Sequence, residues 1–199
     1  MLVGPKETRF SIHQEAICDK SKFFKAACSK RWIEGQEKLL RLPEAKPGVF
    51  RRYSNWIYSG LISGMRCTQT SSIEDKTSEH VSLINLYLLG DSLDDIQLRN
   101  TAIQELSKHL DASNFLSGPS VAAKVWSSTP PGSRLRKLIV HNILCSREQF
   151  VAEAANYPEE FMREIALAAL CKVPTVSFDE ANRNFEQFLE LEDPKDNNN

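Results

Sequence analysis

The chain has 199 residues, 41% of them hydrophobic and 26% charged, which are ordinary values for a globular protein able to build a core without disulfides or metals. No stretch approaches the roughly 18 apolar residues of a membrane span, and MLVGPKETRF lacks the apolar run of a secretory signal, so no membrane partner is expected. The net charge of −1 is graded: +6 over residues 1–60, −2 over 61–178 and −5 over 179–199. The basic residues of the first third are scattered among apolar positions rather than clustered with aromatics, which speaks against nucleic acid as a partner.

In chain order, Arg9-Phe10-Ser11-Ile12 alternates and predicts a strand end with Phe10 and Ile12 inward. Ser21 is placed to cap a helix over Lys22 to Lys30, whose apolar stripe is Phe24, Ala27 and Cys28. Leu40 and Leu42 flank Arg41 and predict a short half-buried strand. Pro47 suits the first position of a helix in which Val49, Phe50, Tyr53, Trp56 and Ile57 recur at helical spacing, and Gly60 ends it. Residues 62–80 are polar without a sustained period and read as a loop. Val81 to Leu89 is apolar almost all round and predicts a buried helix. Asp94 or Asp95 caps the next one, with the stripe Leu98, Ala102, Leu106 and Leu110.

Residues 111–120, DASNFLSGPS, read as a boundary. Three helices are expected beyond it: Val121 to Trp126, one capped by Ser133 that carries Leu135, Leu138, Ile139 and Ile143, and one opened by Pro158 with Glu159 and Glu160 in its first turn. Phe178 to Leu191 offers a marginal helix with Phe185, Phe188 and Leu189 on one face, and the acidic end LEDPKDNNN reads as disordered.

The five cysteines, Cys18, Cys28, Cys67, Cys145 and Cys171, include no C-x-x-C pair. They read as free thiols in a reducing compartment, cytoplasmic or nuclear. Phosphate-cradling glycine motifs and the nucleophile elbow are absent. His141 and Cys145, four apart on one helix, with Cys171 as a third ligand, make a sparse zinc candidate, and an apolar helix with a core cysteine explains them as well. Paired acids such as Asp94-Asp95 and Glu159-Glu160 sit at helix starts, where capping accounts for them. No cofactor and no catalytic residue is expected.

Three blocks in order carry a family likeness. Phe10, Ile12, His13, Ile17, Ser21, Phe23 and Phe24 resemble the start of a BTB (POZ) domain. Leu40, Leu42, Pro43, Val49, Phe50, Trp56, Ile57, Tyr58 and Gly60 resemble its strand, Pro and Val-Phe helix. Leu86, Tyr87, Leu89, Asp91, Leu93, Leu98 and Ala102 resemble its last helix pair. The chain is similar to short BTB proteins of the fungal type. The resemblance implies a mostly helical α/β fold of helical hairpins flanked by a short sheet over residues 1–111, with the N-terminal strand truncated. A helical extension over 112–175 and an acidic, partly disordered tail over 176–199 would follow.

The resemblance also implies a function class. BTB domains are non-enzymatic protein-interaction modules that form homo- or hetero-oligomers, and many are adaptors that recruit a cullin-type ubiquitin ligase scaffold. In those, an apolar-x-Glu motif lies between the second helix and the next strand; Trp32, Ile33 and Glu34 occupy that place here. Two readings of Trp32 stand side by side: an anchor that enters a hydrophobic site on the cullin, or a lid on the domain's own core. The helix around Asp95–Leu106 is expected to assist this edge. Gln14, where the family usually has a basic residue, argues against a corepressor role. The competing expectations are a self-associating scaffold without a cullin role and, from another class, a metal- or cysteine-dependent enzyme.

Overall fold

The computed structural model describes residues 1–29, 39–64, 68–113, 118–145, 150 and 154–171. They hold eight α-helices and a small three-stranded sheet, a mostly helical α/β arrangement. Strands β1 (Leu2–Val3) and β2 (Thr8–Arg9) form an antiparallel hairpin, and β3 (Arg41–Leu42) lies parallel to β1 on its other side. The order is β2-β1-β3, so Leu2 and Val3 form the middle strand. The Leu2 N–H donates to Leu40 O at 2.8 Å and the Gly4 N–H to Leu42 O at 2.9 Å. The strand expected at Arg9–Ile12 sits earlier. Phe10 and Ile12 follow β2 and pack half-buried on the core, Phe10 edge-on to Phe50 at 4.9 Å.

Helix α1 (Gln14–Lys20) and helix α2 (Lys22–Ala27) meet at Ser21. The Ser21 hydroxyl accepts from the Phe24 N–H at 3.3 Å, as an N-cap should. The helix stops at Ala27, short of the expected Lys30, because the Ser29 N–H bonds Ala26 O at 3.0 Å and tightens the last turn.

Helix α3 (Pro47–Ser59) follows its sequence signals closely: Pro47 stands in the first turn and Phe50, Tyr53, Trp56 and Ile57 are buried. Gly60 adopts φ +70°, the left-handed cap that glycine tolerates without strain, and its N–H returns to Trp56 O at 2.8 Å.

Helix α4 (Ile73–Ser92) corrects the reading of 62–80 as a loop. Its first two turns look unstructured in sequence because their inward side chains are polar. The Ser72 hydroxyl caps the Asp75 N–H at 3.0 Å. Lys76 Nζ donates to Gln69 O at 2.8 Å, and buried Glu79 forms a two-pronged ion pair with Arg52 of α3, Nη2 to Oε1 at 2.7 Å. Arg52 also bonds Ser82. A Cβ on Gly64 would collide with both Glu79 Oε1 and Arg52 Nη2, so a side chain there would have to displace the ends of this pair. The Val81–Leu89 part of α4 has no exposed residue, as its all-round apolarity predicts.

Helix α5 (Ile96–Ser113) packs antiparallel on α4 as the spine of the fold. Asp95 is the cap: its Oδ1 accepts from the Leu98 N–H at 2.9 Å, and Leu98, Ala102, Leu106 and Leu110 are all buried. Helices α6 (Pro119–Ser128), α7 (Arg134–Cys145) and α8 (Glu159–Leu170) follow. The Ser133 hydroxyl caps α7 through the Arg136 N–H at 3.2 Å, and Pro158 precedes the two acids that open α8. Helix α5 ends at Ser113, inside the boundary segment expected at 111–120, and one apolar cluster extends from Val3 to Ile165, so the described helices beyond that segment share the core of the residues before them. The helix expected at Phe178–Leu191 and the acidic tail lie outside the described residues.

Candidate functional site

Trp32, Ile33 and Glu34, the expected partner edge, lie outside the described residues. Helix α2 leads into that segment and β3 follows it. Ser21 ties α2 to the α4–α5 turn, its hydroxyl donating to Leu93 O at 2.5 Å. Lys22 reaches Asp94 at 3.7 Å across the surface, Lys20 Nζ donates to Gln97 at 3.1 Å, and the same ammonium stands over the Trp56 ring at 5.8 Å. The exposed ion pair adds little energy but fixes relative position.

Beneath this contact lies a buried carboxylate. Asp95 is fully enclosed, with the Tyr53 hydroxyl donating to its Oδ2 at 3.1 Å. Burial pushes the Asp95 carboxyl above the usual carboxylate range, against the pull of the Leu98 N–H and the Tyr53 hydroxyl. Burial, then the neighbouring Asp95, raises the Tyr53 phenol as well. Asp95 therefore holds α5 in place and presents nothing to a partner, which corrects its inclusion in the assisting face. From that helix, Ile96, Asn100 and Gln104 face outward.

Two grooves border this frame. The first, about 450 Å³, is walled by Phe23 of α2, Leu42 and Val49 near β3 and α3, and Leu88 of α4, with Lys46 and Lys124 at its rim. Phe23 is 38% exposed while Phe24 is enclosed. Consecutive helical residues sit about 100° apart, so of this Phe-Phe pair one ring must face outward. The sequence reading placed both in a family motif and already put Phe24, not Phe23, in the apolar stripe. The second groove, about 900 Å³, runs between the α4–α5 pair and α7, lined by Ile96, Arg99, Ile103, Arg134, Lys137 and His141.

Among the described residues Arg136 is the largest fully enclosed side chain, and no sequence signal marked it. Its Nη1 donates to Glu160 and Glu164 of α8 at 2.8 and 2.7 Å. Its Nη2 donates to Trp126 O and Thr129 O at 2.8 and 2.5 Å, and its Nε to the Thr129 hydroxyl at 3.1 Å. The guanidinium also stands 5.2 Å from the Trp126 ring centre. Burial works against its charge, but the bonds to Glu160 and Glu164 outweigh that and keep it firmly protonated. The network locks α6, α7 and α8 together.

His80 is enclosed between α4 and α5; burial first, then His109 and Lys76, lower its imidazole to about 4. Of the zinc candidate, the Cys145 side chain lies outside what the structure describes and His141 is exposed; among the described residues no group of three or more His, Cys, Asp or Glu gathers to hold a metal. No helix among the described residues is long and apolar enough to cross a membrane. No family model matches the chain, and no curated protein matches it significantly.

Proposed function

We propose that this chain is a non-enzymatic protein-interaction module of the BTB (POZ) type, an adaptor in the cytoplasm or nucleus whose Trp32-Ile33-Glu34 edge docks a cullin-type ubiquitin ligase scaffold. The observation that carries the reading is the coincidence of the family-like positions with the core. Ile17, Ser21, Phe24, Phe50, Trp56, Leu86, Leu89, Leu93, Leu98 and Ala102, drawn from all three blocks, are buried. The mostly helical α/β arrangement with a small sheet also fits the coarse fold such a likeness implies. A bulky aromatic beside a carboxylate is typical interface chemistry, and truncating such an anchor costs about 2 kcal/mol or more.

The test is calorimetric titration of the chain with the N-terminal region of a cullin, alongside Trp32→Ala and Glu34→Lys checked for folding by circular dichroism. Binding by the wild type that weakens at least about tenfold in the folded variants, a loss of roughly 1.4 kcal/mol, supports the adaptor. No binding by folded wild type refutes it. A second reading, a self-associating scaffold without a cullin role, is favoured by Leu167 and Leu170, which stand exposed on α8. It predicts a concentration-dependent oligomer by sedimentation that is indifferent to Trp32→Ala.

A further inference from the structure

Cys18 and Cys28 lie ten residues apart, one in α1 and the other at the end of α2. Both address a single carbonyl: Cys18 Sγ donates to Phe24 O at 3.4 Å, and the Cys28 N–H donates to the same oxygen at 2.8 Å. Cys28 is also the side chain that acts on the Cys18 thiol. Both are free thiols and half-buried. Cys171, by contrast, is fully exposed.

We propose that Cys18 and Cys28 are a redox-modification site that closes to a reversible disulfide on reaction with a hydroperoxide, with Cys28 oxidised first and Cys18 resolving. The order follows from the two environments. The Cys18 thiol donates its proton to Phe24 O at 3.4 Å, and burial, then Cys28, pushes it up to about 12, so it stays protonated and waits for an electrophilic sulfur. The Cys28 thiolate attacks a peroxide oxygen, the O–O bond breaks, and the departing hydroxide takes a proton from solvent to become water, leaving a sulfenic acid on Cys28. Cys18 Sγ then attacks Cys28 Sγ, the S–O bond breaks, and the departing hydroxide takes the Cys18 proton as a second water. Two electrons pass from the sulfurs to the peroxide, and a dithiol reductant returns them. The cross-link joins α1 to the end of α2, two helices too short to persist alone. The site does not depend on the adaptor reading.

The test is oxidation of the full chain with graded hydrogen peroxide at low protein concentration, followed by mass spectrometry and peptide mapping. The expected result is loss of two hydrogens, one cross-linked peptide joining Cys18 to Cys28, and full reversal by dithiothreitol. Loop closure alone favours this spacing over the next shortest, Cys145 to Cys171, by roughly fourfold. The same oxidation in denaturant therefore serves as the reference, and the folded chain is expected to exceed its ratio at least tenfold. In Cys18→Ser, Cys28 should accumulate as a sulfenic acid trapped by dimedone; in Cys28→Ser, Cys18 should stay unlabelled. Equal pairing ratios in folded and denatured chain, independent oxidation of both cysteines to sulfinic acids, or dimedone labelling of Cys18 overturns the proposal.

Discussion

Replacing Arg136 by Met keeps most of the stem volume and removes the guanidinium. Two enclosed carbonyls, Trp126 O and Thr129 O, then lose their donors at 2.8 and 2.5 Å. Each orphaned buried acceptor costs about 1–1.5 kcal/mol. The two ion pairs add less, because Glu160 is half-exposed and Glu164 about a quarter exposed, so both carboxylates rehydrate once the arginine is gone. The expected loss is about 3 kcal/mol, or roughly 6–12 °C in Tm for a chain of this size. Arg136→Lys should lose about 2 kcal/mol, since one ammonium cannot reach both carbonyls and both carboxylates. Urea denaturation at low and high salt measures it, with amide exchange locating the loss in α6–α8. A deficit below about 1 kcal/mol for Arg136→Met refutes the carbonyl argument. A wild-type stability that falls by a similar amount in high salt refutes it differently, by showing that the screened ion pairs dominate.

Three further outcomes are expected. His80 has a folded pKa lowered to about 4, so its contribution is fully present above the ordinary histidine value and is lost as pH falls from there toward 4. His80→Gln should flatten that acid loss by up to about 3 kcal/mol in unfolding free energies measured across the window. Asp95 has the opposite sign. Its raised folded pKa means its contribution is present below the unfolded carboxylate value and declines as pH rises through the folded one. Asp95→Asn, which keeps the cap on Leu98, should match or exceed wild-type stability at neutral pH, whereas Asp95→Ala should lose about 1–2 kcal/mol by thermal denaturation. Ser21→Ala removes the cap on Phe24 and the bond to Leu93 O, and should cost about 2 kcal/mol by urea denaturation, with amide exchange rising first in α2.

The helix signals that proved readable act within one or two turns of chain. Ser21, Pro47, Gly60, Asp95 and Ser133 each cap or start a helix through a neighbour no more than four residues away. The stripes Phe50–Ile57 and Leu98–Leu110 announce their buried faces through a period of the same length. A sequence window contains all of that physics. It does not contain the partner that makes a polar residue fit to bury. Glu79 is buried because Arg52 lies 27 residues before it in the chain and beside it in space, and without that pair the first turns of α4 read as loop.

Arg136 is hidden for the same reason, its carboxylates lying 24 and 28 residues onward. Leu2 and Val3 are two residues with no period to read, and only pairing on both sides makes them the centre of the sheet. Cys18 and Cys28 carry no spacing motif; the turn at Ser21 brings them to one carbonyl. The sequence by itself determined where most helices start and which faces they bury, because capping and amphipathic periodicity are local. Tertiary structure alone decided which charges are enclosed, which strand is central and which thiols meet, because the free energy of burying a polar group depends on partners that arrive only when the chain folds.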